Sequence, residues 1–197
     1  MKFYFMFLVV FGYFTLLETG ETANSIATIS LDKVYNGYWK TDQENEKFNK
    51  RKDEALEKIK ERRDDLLKLG EVFQRMVKAL NDPNLSTAER AKRKGQADLK
   101  QREYGQLSEA IQAYQNASRK ELELEMRKAR DEIMDEIQKV VAAKAKAKGY
   151  EFVFDKAGKS AAIAPIVVYS ADGHDLTAEV LKQLNLSDPK KGIGDKK

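Results

Sequence analysis

From about residue 33 to residue 148, apolar side chains recur every three to five positions in a background of Glu, Lys, Arg, Gln and Ala. That period gathers them on one helix face, and the composition favours continuous helix. Proline interrupts the stretch once, at Pro83. Around it, Asn81-Asp82-Pro83-Asn84-Leu85-Ser86-Thr87 reads as a turn followed by a helix start, because Ser86 and Glu89 have the spacing of a capping box. The pattern predicts two very long helices folded into a hairpin with its tip near 81–87. A helix over residues 33–80 reaches about 70 Å. A compact globule has no use for such an arm.

The apolar positions also predict how the two helices meet. Leu56, Ile59, Leu66, Phe73, Val77 and Leu80 fall on a and d positions of a heptad, with Arg63 and Gly70 interrupting two a positions. The return helix carries Leu99, Tyr104, Leu107, Ile111, Tyr114, Leu122, Met126, Ala129, Ile133, Ile137 and Val140. Antiparallel packing of the two stripes makes a two-stranded coiled coil. Gly70, Gly95 and Gly105 lie singly within the helices, and each costs about 1 kcal/mol relative to Ala. In a hairpin turning near Asn84, Gly70 is expected almost across from Gly95 or its neighbours. A hinge at that level and a simple close approach of the helices are both open readings.

The ends of the chain carry strand patterns. Residues 26–31 are short, β-branched and alternating, and Asp32 can cap the helix that follows. That helix opens with Tyr35, Tyr38 and Trp39, an aromatic cluster expected to pack where the arm meets its base. Gly149 is placed to end the return helix. Residues 150–155 alternate as a strand, and residues 163–169 form a second apolar strand, entered through Pro165 and therefore expected at an edge. Asp175 or Thr177 caps a last short helix over 178–184. The tail 187–197, with Pro189, two glycines and four lysines, is expected to be disordered. So small a sheet buries too little to fold unaided. Assembly of several copies is the economical solution, with Ile29, Leu31, Phe152, Phe154, Ile166 and Val168 as its base residues.

Residues 1–25 are different material. Lys2 precedes an apolar run over 3–17, then a polar stretch and the small-x-small sequence Ala23-Asn24-Ser25. This reads as a secretory signal peptide. The other reading is an uncleaved anchor, although the run is shorter than the roughly 20 residues a spanning helix needs. Domain organisation follows: 1–25 signal peptide, 26–32 and 149–186 a β-rich oligomerisation base, 33–148 the helical arm, and 187–197 the tail.

Composition narrows the chemistry. Of 197 residues, 35% are charged and none is cysteine, which excludes disulfides, thiolate metal sites and a thiol nucleophile. His174 is the sole histidine and reads as a surface turn residue. No catalytic constellation, metal cluster or phosphate-binding loop is legible, so neither an enzyme nor a cofactor is expected. The net charge of +4 suits acidic partners. Its densest part lies between residues 88 and 102, where Arg90, Lys92, Arg93, Lys94, Lys100 and Arg102 stand against Glu89 and Asp98. This is either a solvated face or an anion-attracting arm end for acidic clients or lipid head groups. Export and the mixed charge along the arm argue against nucleic acid as a partner.

Four segments carry a family resemblance. Ile29-Ser30-Leu31-Asp32-Lys33-Val34-Tyr35-Asn36-Gly37-Tyr38 resembles the opening of the Skp/OmpH family of periplasmic chaperones. Ala147-Lys148-Gly149-Tyr150-Glu151-Phe152-Val153-Phe154-Asp155-Lys156 is similar to its second block. Ile166-Val167-Val168-Tyr169-Ser170 and Asp175-Leu176-Thr177-Ala178-Glu179-Val180-Leu181-Lys182-Gln183-Leu184-Asn185 are similar to its closing strand and helix. The resemblance spans roughly residues 26–186. It implies an α+β subunit of a homotrimer, whose terminal strands form a central barrel and whose three helical arms enclose a cavity. It implies an ATP-independent holdase for unfolded outer-membrane proteins in the periplasm. Some members are linked to lipopolysaccharide through basic arm residues, a motif that finds no position-by-position match here. The alternative function is a structural coiled-coil spacer of the envelope, tethered by an uncleaved N-terminus.

Overall fold

The computed structural model describes residues 25–190. The signal-peptide reading therefore lies outside the described residues, as does the tail beyond residue 190. The chain is a long helical hairpin on a small α+β base. In order it forms strand β1 (Ile26–Ile29), helix α1 (Leu31–Gly37), helix α2 (Trp39–Ala79), helix α3 (Thr87–Ala147), strand β2 (Phe152–Asp155) and helix α4 (Thr177–Leu184), with 3-10 turns at Asp172–His174 and Asn185–Ser187.

The arm is α2 against α3. With 41 and 61 residues, they extend about 60 and 90 Å. Ser86 caps α3, its hydroxyl accepting from the Glu89 amide at 3.2 Å. Glu89 does not return the bond; its carboxylate holds Arg93 at 3.0 Å instead. At the far end, the Tyr150 amide donates to the Ala145 carbonyl at 3.0 Å and the Gly149 amide to Lys146 at 3.3 Å. This paired capping needs a left-handed residue between helix and strand, which Gly149 supplies at φ +74°.

The outward helix is not continuous from residue 33 to residue 80. It breaks at Tyr38, whose backbone is extended (φ −81°, ψ 126°). The reason is tertiary. Tyr38 is buried at 2% exposure, its hydroxyl donates to Glu136 of α3 at 2.7 Å, and the break steers α1 across the base. The start of α1 also differs from expectation, since the Ser30 hydroxyl caps it, with Asp32 already inside the first turn.

β1 and β2 pair in parallel, Ile26 beside Phe152 through Ile29 beside Asp155, with the whole arm as their crossover. The expected third strand over 163–169 does not form. That segment turns back at Ser160 to Ala164, Ile163 takes a left-handed φ of +64°, and its only ladder contact is the bridge between Lys159 and Pro165. Among the described residues no neighbouring strand takes up its backbone groups. The core gathers Ala27, Ile29, Val34, Tyr38, Ile133, Ile137, Leu176, Val180 and Leu184, with Tyr35 and Trp39 packed against it. The aromatic cluster thus marks the junction of arm and base.

The arm's own seam is thin. Among its residues only Ala97, Ile111, Ile133, Ile137 and Ala145 of α3 and Thr41 of α2 are buried. Leu56, Val77, Leu99, Tyr104 and Met126, all expected in the seam, are more than 40% or about 40% exposed. Ala97 is buried where Leu99, two residues on, is exposed. Two helices alone present too little surface to enclose their larger apolar side chains.

Candidate functional site

Two surfaces stand out, one at the base and one along the arm. At the base, alternation along β2 half-buries Val153 and Asp155 and leaves Phe152 and Phe154 exposed on the other face. The two phenylalanine rings stack at 6.4 Å, and they remain 56% and 46% exposed. Ile26, in register with Phe152, is on the same face and also exposed. Ile163, Ile166, Val168 and Tyr169 on the segment after β2 are exposed as well. These large apolar side chains leave the outer side of the two-stranded sheet and its surroundings an exposed apolar surface. Of the expected base residues, Phe152, Phe154, Ile166 and Val168 are exposed. Ile29 is in the chain's own core, and Leu31 opens α1 rather than extending β1.

A polar network fixes this base. The Ser30 amide donates to the Thr177 hydroxyl at 2.9 Å, and the Leu31 and Ala157 amides both donate to the Asp155 carboxylate, at 3.1 and 2.9 Å. Lys156 bridges to Asp175 at 2.6 Å, while the Asp175 carboxylate also accepts the Thr177 amide at 2.9 Å at the start of α4. Burial pushes the Asp175 carboxyl up, but Lys156 and the Thr177 bonds outweigh it and hold it below its ordinary 3.8. His174 is half-buried rather than a plain surface residue, with its Nδ1 3.1 Å from the Tyr150 hydroxyl.

A second device spans the break at Tyr38. The Asn185 carboxamide accepts from the Trp39 amide at 3.1 Å and donates to the Gly37 carbonyl at 2.9 Å. It thereby occupies two backbone groups that the broken helix leaves open. From the other side Glu136 receives both Tyr38 and Lys40, the latter at 2.6 Å. The Lys40 and Tyr38 bonds hold the Glu136 carboxyl below its ordinary 4.5, and burial with Glu136 nearby pushes the Tyr38 phenol up. Sequence patterning missed Asn185; its only signal is a polar residue at the end of an amphipathic helix.

The basic arm end is not one uniform patch. Arg90 turns back to the tip, donating to the Leu80 carbonyl at 2.5 Å and the Asp82 carbonyl at 3.1 Å, where it closes the end of α2. Arg93 pairs with Glu89, and Lys100 with Glu103 at 2.6 Å. Lys92, Lys94 and Arg102 are exposed without an ion pair among the described residues. Gly70 faces Tyr104, not Gly95: a Cβ at Gly70 would stand 3.2 Å from the Tyr104 ring. Helical side chains lean toward their own N-terminus, so Tyr104 covers the level one turn back. Its ring fills the gap in the seam. Gly95 and Gly105 face open space.

Nearer the base, α2 and α3 part to leave an apolar groove of about 300 Å³ between Phe48 and Ile59 on one side and Gln115 and Met126 on the other. Beside it Arg51 holds both Glu121, at 2.9 Å, and Glu125. No cluster of metal-ligating side chains occurs among the described residues, and no described helix is long and apolar enough to cross a membrane.

The family model for OmpH-like outer membrane proteins matches residues 25–184. No curated protein matches the chain. Among solved structures, a candidate outer membrane chaperone (OmpH-like) from Caulobacter crescentus CB15 superposes with a TM-score of 0.62. It is 12% identical, over 85% of this chain and 87% of that one, and so attests the fold. With parallel terminal strands, an intervening helical hairpin and a family match across nearly all the described residues, this chain belongs to the OmpH-like outer membrane protein family.

Proposed function

We propose that the chain is an exported, ATP-independent holdase of the periplasm that keeps unfolded outer-membrane proteins from aggregating. Residues 1–25 direct export. Three copies join through the outer face of the terminal sheet, and their arms enclose the client. The exposed stack of Phe152 and Phe154 carries this reading: a two-stranded sheet with an apolar outer face calls for more strands. Family membership supports the chaperone role, as does the Caulobacter neighbour's description. Holding needs no bond chemistry, so no catalytic residue, cofactor or metal has a part in it. Arms with a thin seam suit varied clients, which many weak apolar and charged contacts accommodate. Lys92, Lys94 and Arg102 supply long-range attraction for acidic clients and for anionic lipid head groups, lipopolysaccharide among them.

Light scattering on residues 26–197 tests the proposal, alone and with an unfolded acidic outer-membrane protein. The expected mass is that of a trimer, with client aggregation suppressed equally with and without ATP. Phe152→Asp with Phe154→Asp should dissociate the trimer, because charges would enter the shared core. A well-folded monomer at micromolar concentration, or undiminished client aggregation, refutes it.

A further inference from the structure

We infer that the peptide bond between Ser25 and Ile26 is the export cut, and that folding of the base closes this processing site, so that the chain is cut while unfolded or stays joined to its leader. The inference rests on the export reading and adds when the cut can be made. The small-x-small sequence Ala23-Asn24-Ser25 suits a peptidase that accepts small residues at the first and third positions before the bond it breaks.

In the folded chain both sides of that bond are held. The Ser25 carbonyl accepts from the Glu151 amide at 2.8 Å and from the Phe152 amide at 2.9 Å. Ile26, the residue after the bond, opens β1 and pairs with Phe152. Ala27, Thr28 and Ile29 are buried. The Thr28 carbonyl accepts from the Leu176 amide at 2.9 Å, and the Ile29 carbonyl from the Lys156 amide at 2.8 Å. β1 thus lies between β2 and the segment that leads into α4, with Ala27 and Ile29 in the core.

Hydrolysis adds the oxygen of a water to the Ser25 carbonyl carbon and breaks its bond to the Ile26 nitrogen. A carboxylate is left on Ser25, and both water protons end on the Ile26 amine. A peptidase must aim its own donors at the Ser25 carbonyl oxygen, where negative charge develops. Two β2 amides already occupy that oxygen. The peptidase must also take the flanking residues into its cleft, and Ile26–Ile29 can enter only by leaving the sheet and the core. Cutting then follows the population of the opened base, which is small in a stable fold.

Sequence order supplies the window for the cut. β1 comes first and β2 follows only after the whole arm. In a chain made and exported from its N-terminus, β1 waits unpaired until β2 and α4 arrive. A cut in that interval frees the chain, and a missed cut leaves it tethered for as long as the base stays folded. The free holdase and the tethered spacer are then two products of one sequence.

The test uses the full precursor, residues 1–197, unfolded in urea and diluted into mild detergent. Purified signal peptidase is added at once or after refolding. Intact mass should show loss of residues 1–25 on immediate addition, with cutting about tenfold or more slower after refolding. Val180→Asp, far from the bond in sequence, puts an unpaired charge into the core that β1 completes; it should be cut alike at both times. Equal cutting of the wild type at both times, or a cut at another bond, overturns the inference and leaves the export reading intact. No cut at either time sinks the export reading with it. Late protection that persists in Val180→Asp while its Phe152 amide exchanges freely also overturns the inference, because the shield is then something other than the sheet.

Discussion

Asn185→Ala should loosen the joint where the arm leaves the base. The carboxamide makes two hydrogen bonds across the break at Tyr38, one to the part-buried Trp39 amide and one to the more exposed Gly37 carbonyl. A net hydrogen bond contributes about 0.5–1.5 kcal/mol, toward the upper end where water cannot replace it. The loss is therefore about 1.5–2 kcal/mol. At fixed protein concentration that lowers Tm by about 3–8 °C for a chain of this size. Asn185→Asp keeps the acceptor for Trp39 but turns an anionic oxygen toward the Gly37 carbonyl, so it should destabilise at least as much. Ser187→Ala is the milder comparison: its contact with the Trp39 indole is exposed and 3.4 Å long, and its hydroxyl also donates to the Leu184 carbonyl at 3.0 Å, so its effect should stay below that of Asn185→Ala, at about 0.5–1 kcal/mol. Trp39 is the only tryptophan, so urea unfolding followed by its fluorescence reads the joint directly. An Asn185→Ala protein within about 0.5 kcal/mol of the wild type, with unchanged exchange protection at the Trp39 amide, would refute the reasoning.

Arg90→Ala should fray the tip, seen as faster amide exchange around residues 78–84, with client capture slowed less than by Lys92→Glu with Lys94→Glu. Equal effects of the two would mean that Arg90 acts as a client-facing cation. Gly95→Ala should stabilise the arm by up to about 1 kcal/mol, since its new methyl meets open space. Gly70→Ala should gain less in a thermal melt, because the Tyr104 ring 3.2 Å away must yield; if spin-label distances between arm tips narrow only for Gly70→Ala, the flexible joint lies there. Asp175 titrates below its ordinary 3.8 in the folded protein, so its contribution is present above that value and is lost as pH falls through the lowered one. Asp175→Asn should flatten this acid-side loss of stability in melts taken between about pH 5 and pH 2; an unchanged slope would show that the Lys156 pair contributes nothing.

Local pattern determined much of this protein. The 3.6-residue period, the arm's one proline, the Ser86 cap and the Gly149 stop are short-range signals, and each acts within a turn or two of its own position. They set the two long helices, their tip and the exit into β2. The alternation in residues 150–155 placed Phe152 and Phe154 on one face for the same reason. Tertiary structure decided what depends on distant partners. Tyr38 breaks a helix-favouring stretch because its side chain is buried against α3, and Asn185, more than a hundred residues away in sequence, caps the break. Arg90 looks like any other arm cation until the turn brings the carbonyls of Leu80 and Asp82 to it. Gly70 looks like a gap until the offset of the hairpin sets Tyr104 over it. Residues 163–169 carry a strand pattern, but a strand needs a neighbour for its backbone groups, and among the described residues no strand stands beside them.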